Sequence, residues 1–151
     1  MTVCWRNARS GTDGDSILNN WAVHGLSYYA AARLDWDPHL TPDQILTDYC
    51  DGGFGPAGPA VKKYFQLIEQ STDIQHHLYS AEQVAQLRRL LEDADRSAGR
   101  DPALLERIAF LRLGLNYTDL WSTLTRLAAE ADKAEPQSAA IKATAQPLLD
   151  P

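Results

Sequence analysis

The sequence predicts an all-α protein, a multi-helix bundle with at most one short strand near its N-terminus. Three observations carry this prediction. Beyond the first sixteen residues, apolar side chains recur at helical spacing through most of the chain. Helix starts are marked at Thr41-Pro42, at Ser80 with Gln83 three residues on, and at Asp101-Pro102. Only Thr2-Val3-Cys4-Trp5 reads as a strand.

Composition narrows the class of function. The 151 residues are 44% apolar and 23% charged, an ordinary globular mixture that can remove roughly two-thirds of the unfolded surface from water. The net charge is −6 and the basic residues are scattered, so no stripe exists to neutralise a phosphate backbone and nucleic acid is not an expected partner. No run approaches the roughly 18 apolar residues of a membrane span, and Met1 to Gly14 contains no signal-peptide core. If Met1 is the true start, a cytoplasmic location is expected. Cys4 and Cys50 lack a paired spacing and are read as free thiols, with no cofactor or metal.

Along the chain, residues 1–16 form an irregular segment, 17–132 a helical domain and 133–151 a weakly patterned tail with a short helix at most. From Trp21 to Leu34, Arg33 is the only formal charge and apolar or aromatic residues take every face, so this helix is expected to be buried on all sides. The helix opened by Thr41 carries Ile45, Leu46, Tyr49 and Cys50 on one side and is expected to stop at Gly52-Gly53. Phe54 to Pro59 forms a turn, and the next helix turns Val61, Tyr64, Phe65 and Ile68 inward. A loop is expected from Ser71 to Tyr79. The helix after Ser80 buries Val84, Leu87, Leu91 and Ala94, pairs Arg88 with Glu92 and Arg89 with Asp93, and closes at Gly99. After Asp101 comes a long pattern: Leu104, Ile108, Leu111 and Leu115, then Leu113, Tyr117, Leu120, Leu124 and Leu127. This stripe drifts around the helix, which predicts contacts with several neighbours and a bend near Gly114.

A succession of motifs resembles a known family. Asn20 to Tyr29, then Ala32-Arg33-Leu34, Trp36-Asp37-Pro38, Asp48-Tyr49-Cys50 and Gly53-Phe54-Gly55-Pro56-Ala57, resembles the C-terminal portion of the domain-of-unknown-function 4838 family. Arg107 to Leu111, Gly114-Leu115 and Tyr117-Thr118 fit its later helices, so the resemblance spans about residues 13–120. It implies a glycoside-hydrolase-like protein, similar to bacterial α-glucuronidases, whose helical region follows a (β/α)8-type barrel. Asp35, where an apolar residue is expected, and Gly58, where alanine is more usual, depart from the pattern. Length departs further, because eight strand-helix units need about 200 residues. The resemblance therefore implies a fragment of a larger protein.

Candidate chemistry is sparse. Glycoside hydrolysis uses two carboxylates across the scissile bond, and no such pair on a supporting scaffold is assembled here, so no catalytic residue is assigned. In the resemblance, Asp15 sits at the barrel end and hydrogen-bonds a sugar hydroxyl, while the plain alternative makes Asp13 and Asp15 ordinary turn residues. Trp21 and His24, three apart on one helix face, are the better saccharide contacts: an indole face accepts sugar C–H groups and an imidazole adds one hydrogen bond. Their alternative is packing. Tyr28 and Tyr29 point to different faces, with at least one expected in the core. The glycine-rich segment Gly52 to Gly58 lacks the features of a phosphate loop, and the adjacent His76-His77 diverge too far to ligate one metal without help.

Together these readings predict a non-catalytic helical region that packs against a barrel and lends one edge to a saccharide cleft. The alternative is a free-standing helical module for protein interaction or self-association through exposed apolar surface.

Overall fold

Capping chemistry sets the helix boundaries. The structure, a computed structural model, describes residues 21–71 and 79–149, with the side chains of 22, 24–70 and 79–130 among them. Helix α1 spans Trp21–Trp36 and ends ahead of Pro38, which cannot continue it. Helix α2, Pro42–Phe54, opens on a reciprocal box: the Gln44 N–H donates to Thr41 Oγ1 at 3.3 Å, and the Thr41 N–H donates to Gln44 Oε1 at 2.8 Å. A 3-10 turn over Gly55–Ala57 leads into α3, Gly58–Ser71. Ser80 and Gln83 repeat the box at the head of α4, Ala81–Ala98, which closes at Gly99 with φ 64°. Asp101 Oδ1 accepts the N–H groups of Ala103 and Leu104 and starts α5, Pro102–Leu149. Among the described residues the protein is all-α.

Two boundaries differ from the sequence reading. Helix α2 runs through Gly52-Gly53 to Phe54, and the positive φ of 47° falls at Gly55. Keeping both glycines helical carries the Phe54 ring into the core, where it is 4% exposed, against a cost of about 0.5–1 kcal/mol for each glycine. Helix α5 continues to Leu149 as a 48-residue element, roughly 70 Å long, where the weak pattern after Glu135 predicted a short helix. Ala139, Ala140, Ala143 and Ala145 favour continuation there, against the opposing preference of Pro136 and Pro147. The predicted strand at Thr2 to Trp5, the residues Cys4, Asp13 and Asp15, and most of the loop with His76-His77 lie outside the described residues.

The helices neighbour one another in a closed ring, α1 on α2, α2 on α3, α3 on α4, α4 on α5, and α5 back on α1. The core fills the space between α2, α3, α4 and α5. Cys50, Val61, Leu87, Leu91 and Ile108 are fully buried, joined by Phe54, Tyr64, Val84, Leu111 and Leu115. The inward faces predicted for α3 and α4 hold, with Phe65 and Ile68 half-buried at the margin. Buried Ser122 accepts the Tyr79 N–H at 3.2 Å, so α5 holds the chain just ahead of α4.

Helix α1 differs from the others: none of its described side chains is buried. It is attached at a crossing on α5, where a Cβ added to Gly114 would lie 2.6 Å from the carbonyl oxygen of Ala22. Gly114 therefore serves close approach of two backbones. Gly58 has a similar role inside the core, since an added Cβ would lie 2.9 Å from the Cys50 carbonyl oxygen. The glycine that departs from the family pattern is the residue this turn accommodates.

Ion pairs link neighbouring helices more than the sequence reading anticipated. Arg88 reaches Asp119 on α5 at 3.0 Å, and Asp93 pairs with Arg96 three residues on, in place of the predicted Arg88–Glu92 and Arg89–Asp93 pairs. Arg112 of α5 pairs with Asp95 of α4, and Lys62 of α3 holds Asp43 of α2 at 2.8 Å. These half-exposed pairs each contribute about 1 kcal/mol or less. Among the described residues no helix is long and apolar enough to cross a membrane.

The glycines separate two effects of one substitution. Gly114→Ala is expected to destabilise the protein by about 1–3 kcal/mol in urea unfolding, through the clash with Ala22. Gly52→Ala, with nothing within 4 Å of the new methyl, is expected to stabilise it by about 0.5–1 kcal/mol. Equal effects at the two sites would remove the case for a close crossing.

Candidate functional site

Where α1 crosses the body it leaves a cleft of ≈ 490 Å³ between itself, α2, α3 and α5. Its walls are aromatic: Tyr28 and Tyr29 from α1, Tyr49 from α2, Phe65 from α3 and Phe110 from α5. Gly25 forms part of the α1 wall, and an added Cβ there would stand 3.6 Å from the Tyr49 hydroxyl. Tyr49 is the hub of the cluster, with ring centres 5.2 Å from Tyr29, 5.8 Å from Phe54 and 5.7 Å from Phe65 in tilted or edge-on geometry. The cluster therefore runs from the surface at Tyr29 to the core at Phe54.

The polar rim belongs to Asp48. Its Oδ2 accepts the Tyr29 hydroxyl at 2.6 Å and the Arg33 guanidinium at 3.2 Å, tying α1 to α2. This explains the formal charge within an otherwise apolar stretch of α1: Arg33 meets a carboxylate across the helix interface. The guanidinium is only partly satisfied, because Arg33 Nε is buried without a hydrogen-bond partner among the described residues. The hydrogen bond to Asp48 raises the Tyr29 pKa above its ordinary value, and burial raises that of Tyr49.

The sequence-derived site residues are only partly gathered here. Asp15 lies outside the described residues. Trp21 begins α1, and its side chain lies outside the description. His24 is half-buried on α1, edge-on to Tyr28 with ring centres 6.4 Å apart, and is not among the residues lining the cleft. Tyr28 and Tyr29 are both half-buried and both line it. Tyr49, Phe65 and Phe110 went unnoticed as site residues because they come from three other helices, and Tyr49 and Phe65 fit core stripes by their spacing. The available signal was Gly25, a small residue within an aromatic helix.

Chemically, the cleft is suited to holding a ring against flat apolar faces. Among the described residues no three His, Cys, Asp or Glu side chains form a group able to hold a metal ion. Cys50 lies behind the cluster, free and fully buried, and burial pushes its thiol up to about 12. Tyr64 is raised in the same direction by burial. Each of these groups binds its proton more tightly folded than unfolded, so its contribution is complete below the ordinary pKa and is lost as pH rises above it. Stability is therefore expected to fall from pH about 9 upward, as read by urea midpoints across an alkaline series. Alkylation of Cys50 at pH 8 is expected to follow the rate of opening of the fold. Rapid labelling of Cys50 in the folded protein would contradict its burial.

Comparison with known proteins adds one match. Residues 2–66 match the family model described as "Domain of unknown function (DUF4838)", a span that takes in α1, α2, the 3-10 turn and the first part of α3. It covers the N-terminal portion of the resemblance, while α4 and α5 fall beyond it. No curated protein and no solved structure matches the chain. Four of the five cleft aromatics, Tyr28, Tyr29, Tyr49 and Phe65, fall inside the matched span. Over residues 2–66, less than half of its length, the chain is similar to the DUF4838 family.

Proposed function

We propose that the chain is a non-catalytic helical part of a glycoside-hydrolase-like carbohydrate-active protein, in which α1 packs against a barrel and the cleft beside it forms one edge of a saccharide site. The observation that carries this reading is the state of α1: a helix with apolar or aromatic residues on every face, yet no buried side chain among those described. Such a helix expects a further surface over it. Tyrosine faces suit the C–H groups of a pyranose ring, and the Tyr29 hydroxyl and Asp48 carboxylate at the rim suit its hydroxyls. The family match over α1 and α2 supports the same reading. Trp21 and His24 in the first turn of α1, and Asp15 ahead of it in sequence, are the proposed contacts.

A second reading, a free-standing helical interaction or self-association module, is favoured by one different observation, the exposed apolar stripe on α5.

The saccharide reading is tested by titrating the chain with neutral and uronic-acid disaccharides while following the ring resonances of Tyr28, Tyr29 and Tyr49. Binding of millimolar strength is expected, with shifts concentrated on these rings and weakened at least tenfold by Tyr28→Ala. Rings unmoved by every sugar at tens of millimolar, a range that fills a site of that strength, would contradict it.

A further inference from the structure

Helix α5 carries two apolar stripes on opposite sides. Ile108, Leu111, Leu115 and Ser122 face the body and are buried. Two residues away in sequence, hence about 200° around the helix, lies a second stripe of Phe110, Leu113, Tyr117, Leu120, Leu124 and Leu127. These six side chains are 46% to 60% exposed. Their spacing alternates three and four residues without a break, which is the seam of a two-stranded coiled coil. Beyond Leu127 the same register holds the small residues Ala131, Ala134 and Ser138 before Ile141.

Several features select the occupant. A regular three-four seam fits another helix by knobs-into-holes packing, and that helix must match its length. Within this chain the other described helices reach at most 18 residues, whereas α5 itself has 48. Residues flanking the seam between 113 and 128 are uncharged, namely Gly114, Asn116, Trp121, Thr123 and Ala128. Two identical seams therefore meet without like-charge repulsion, despite the net charge of −6. Of the charges beside the seam, Arg112 and Asp119 are paired with α4, and Arg126 reaches Thr123 of its own helix. With side chains of this size at half exposure, the stripe and the adjacent Trp121 present roughly 700 Å² per copy, close to the ≈ 800 Å² per partner of a specific interface. The core sits on the far side of α5, and α1 meets the seam only at its head, where Gly114 approaches Ala22 and Phe110 lines the cleft.

From these features we infer that the outer seam of α5 pairs with the same seam of a second copy, giving a symmetric dimer held by a two-helix coiled coil. Its partner is the chain itself, which deepens the self-association reading. It shares only Phe110 with the saccharide reading, whose other contacts lie on α1 and in the rest of the cleft.

The test is the mass of the whole chain in solution, by sedimentation equilibrium over a micromolar concentration series. The wild-type chain is expected to approach twice 16.7 kDa. The double substitution Leu120→Glu and Leu124→Glu is expected to weaken association at least 100-fold while leaving helix content unchanged, because both side chains are exposed in the single copy. Trp36→Ser, at a residue 91% exposed but away from the seam, is expected to leave the mass unchanged. A wild-type chain that stays monomeric throughout overturns the inference, and so does a double variant that remains folded and dimeric. Should the double variant unfold, the wild-type mass alone decides. Tyrosine titration by sugar is read separately, so failure of dimerisation and failure of the saccharide reading are distinguishable.

Discussion

The crossing of α1 over α5 is the contact on which the candidate site depends. At Gly114 the α5 backbone comes close enough to the Ala22 carbonyl that a methyl group would not fit. Further along α1, Tyr29 packs against Tyr49, and Tyr29 and Arg33 meet Asp48 of α2. The cleft exists because α1 is pinned close at one place while its aromatic side chains hold it off elsewhere. Move α1 outward and the aromatic wall opens, but the core formed by α2 through α5 keeps its own buried side chains.

That division of labour explains how an apolar helix sits at the margin. The core cluster that includes Leu87, Leu91 and Ile108 has no described α1 side chain among its members. Helix α5 is similarly oversupplied, with one apolar face spent on the body and the other open. Both elements carry more apolar surface than the described residues cover, and both face directions in which further protein can pack. Exposed apolar area of this extent along one helix is a mark of an interface more than of a finished surface.

Much of the fold was legible in the sequence because its signals are local. Capping boxes at Thr41 and Ser80 and the Asp101-Pro102 start need only four residues to be recognised, and the inward faces of α3 and α4 follow from periodicity alone. What escaped needed tertiary information. Gly52-Gly53 read as a stop, yet burial of Phe54 outweighs their helix penalty. Arg88 had a plausible partner four residues away, but its carboxylate came from Asp119 across the helix interface. The drifting stripe of α5 was visible, although only the position of the body separates it into two faces. The site was less legible than the fold: Tyr28 and Tyr29 stood out, whereas Tyr49, Phe65 and Phe110 meet them through packing that no spacing rule encodes.

The central claim is that α1 is a docked element on a core complete without it. Native-state hydrogen exchange resolved by residue tests this directly, because the free energy of opening of each amide separates local from global unfolding. The account predicts that central amides of α1, around Gly25 to Tyr29, open at distinctly lower free energy than those of α4 around Leu87 to Leu91. Equal protection in the two helices, rising and falling together with denaturant, would mean that α1 belongs to the cooperative core and would contradict the account.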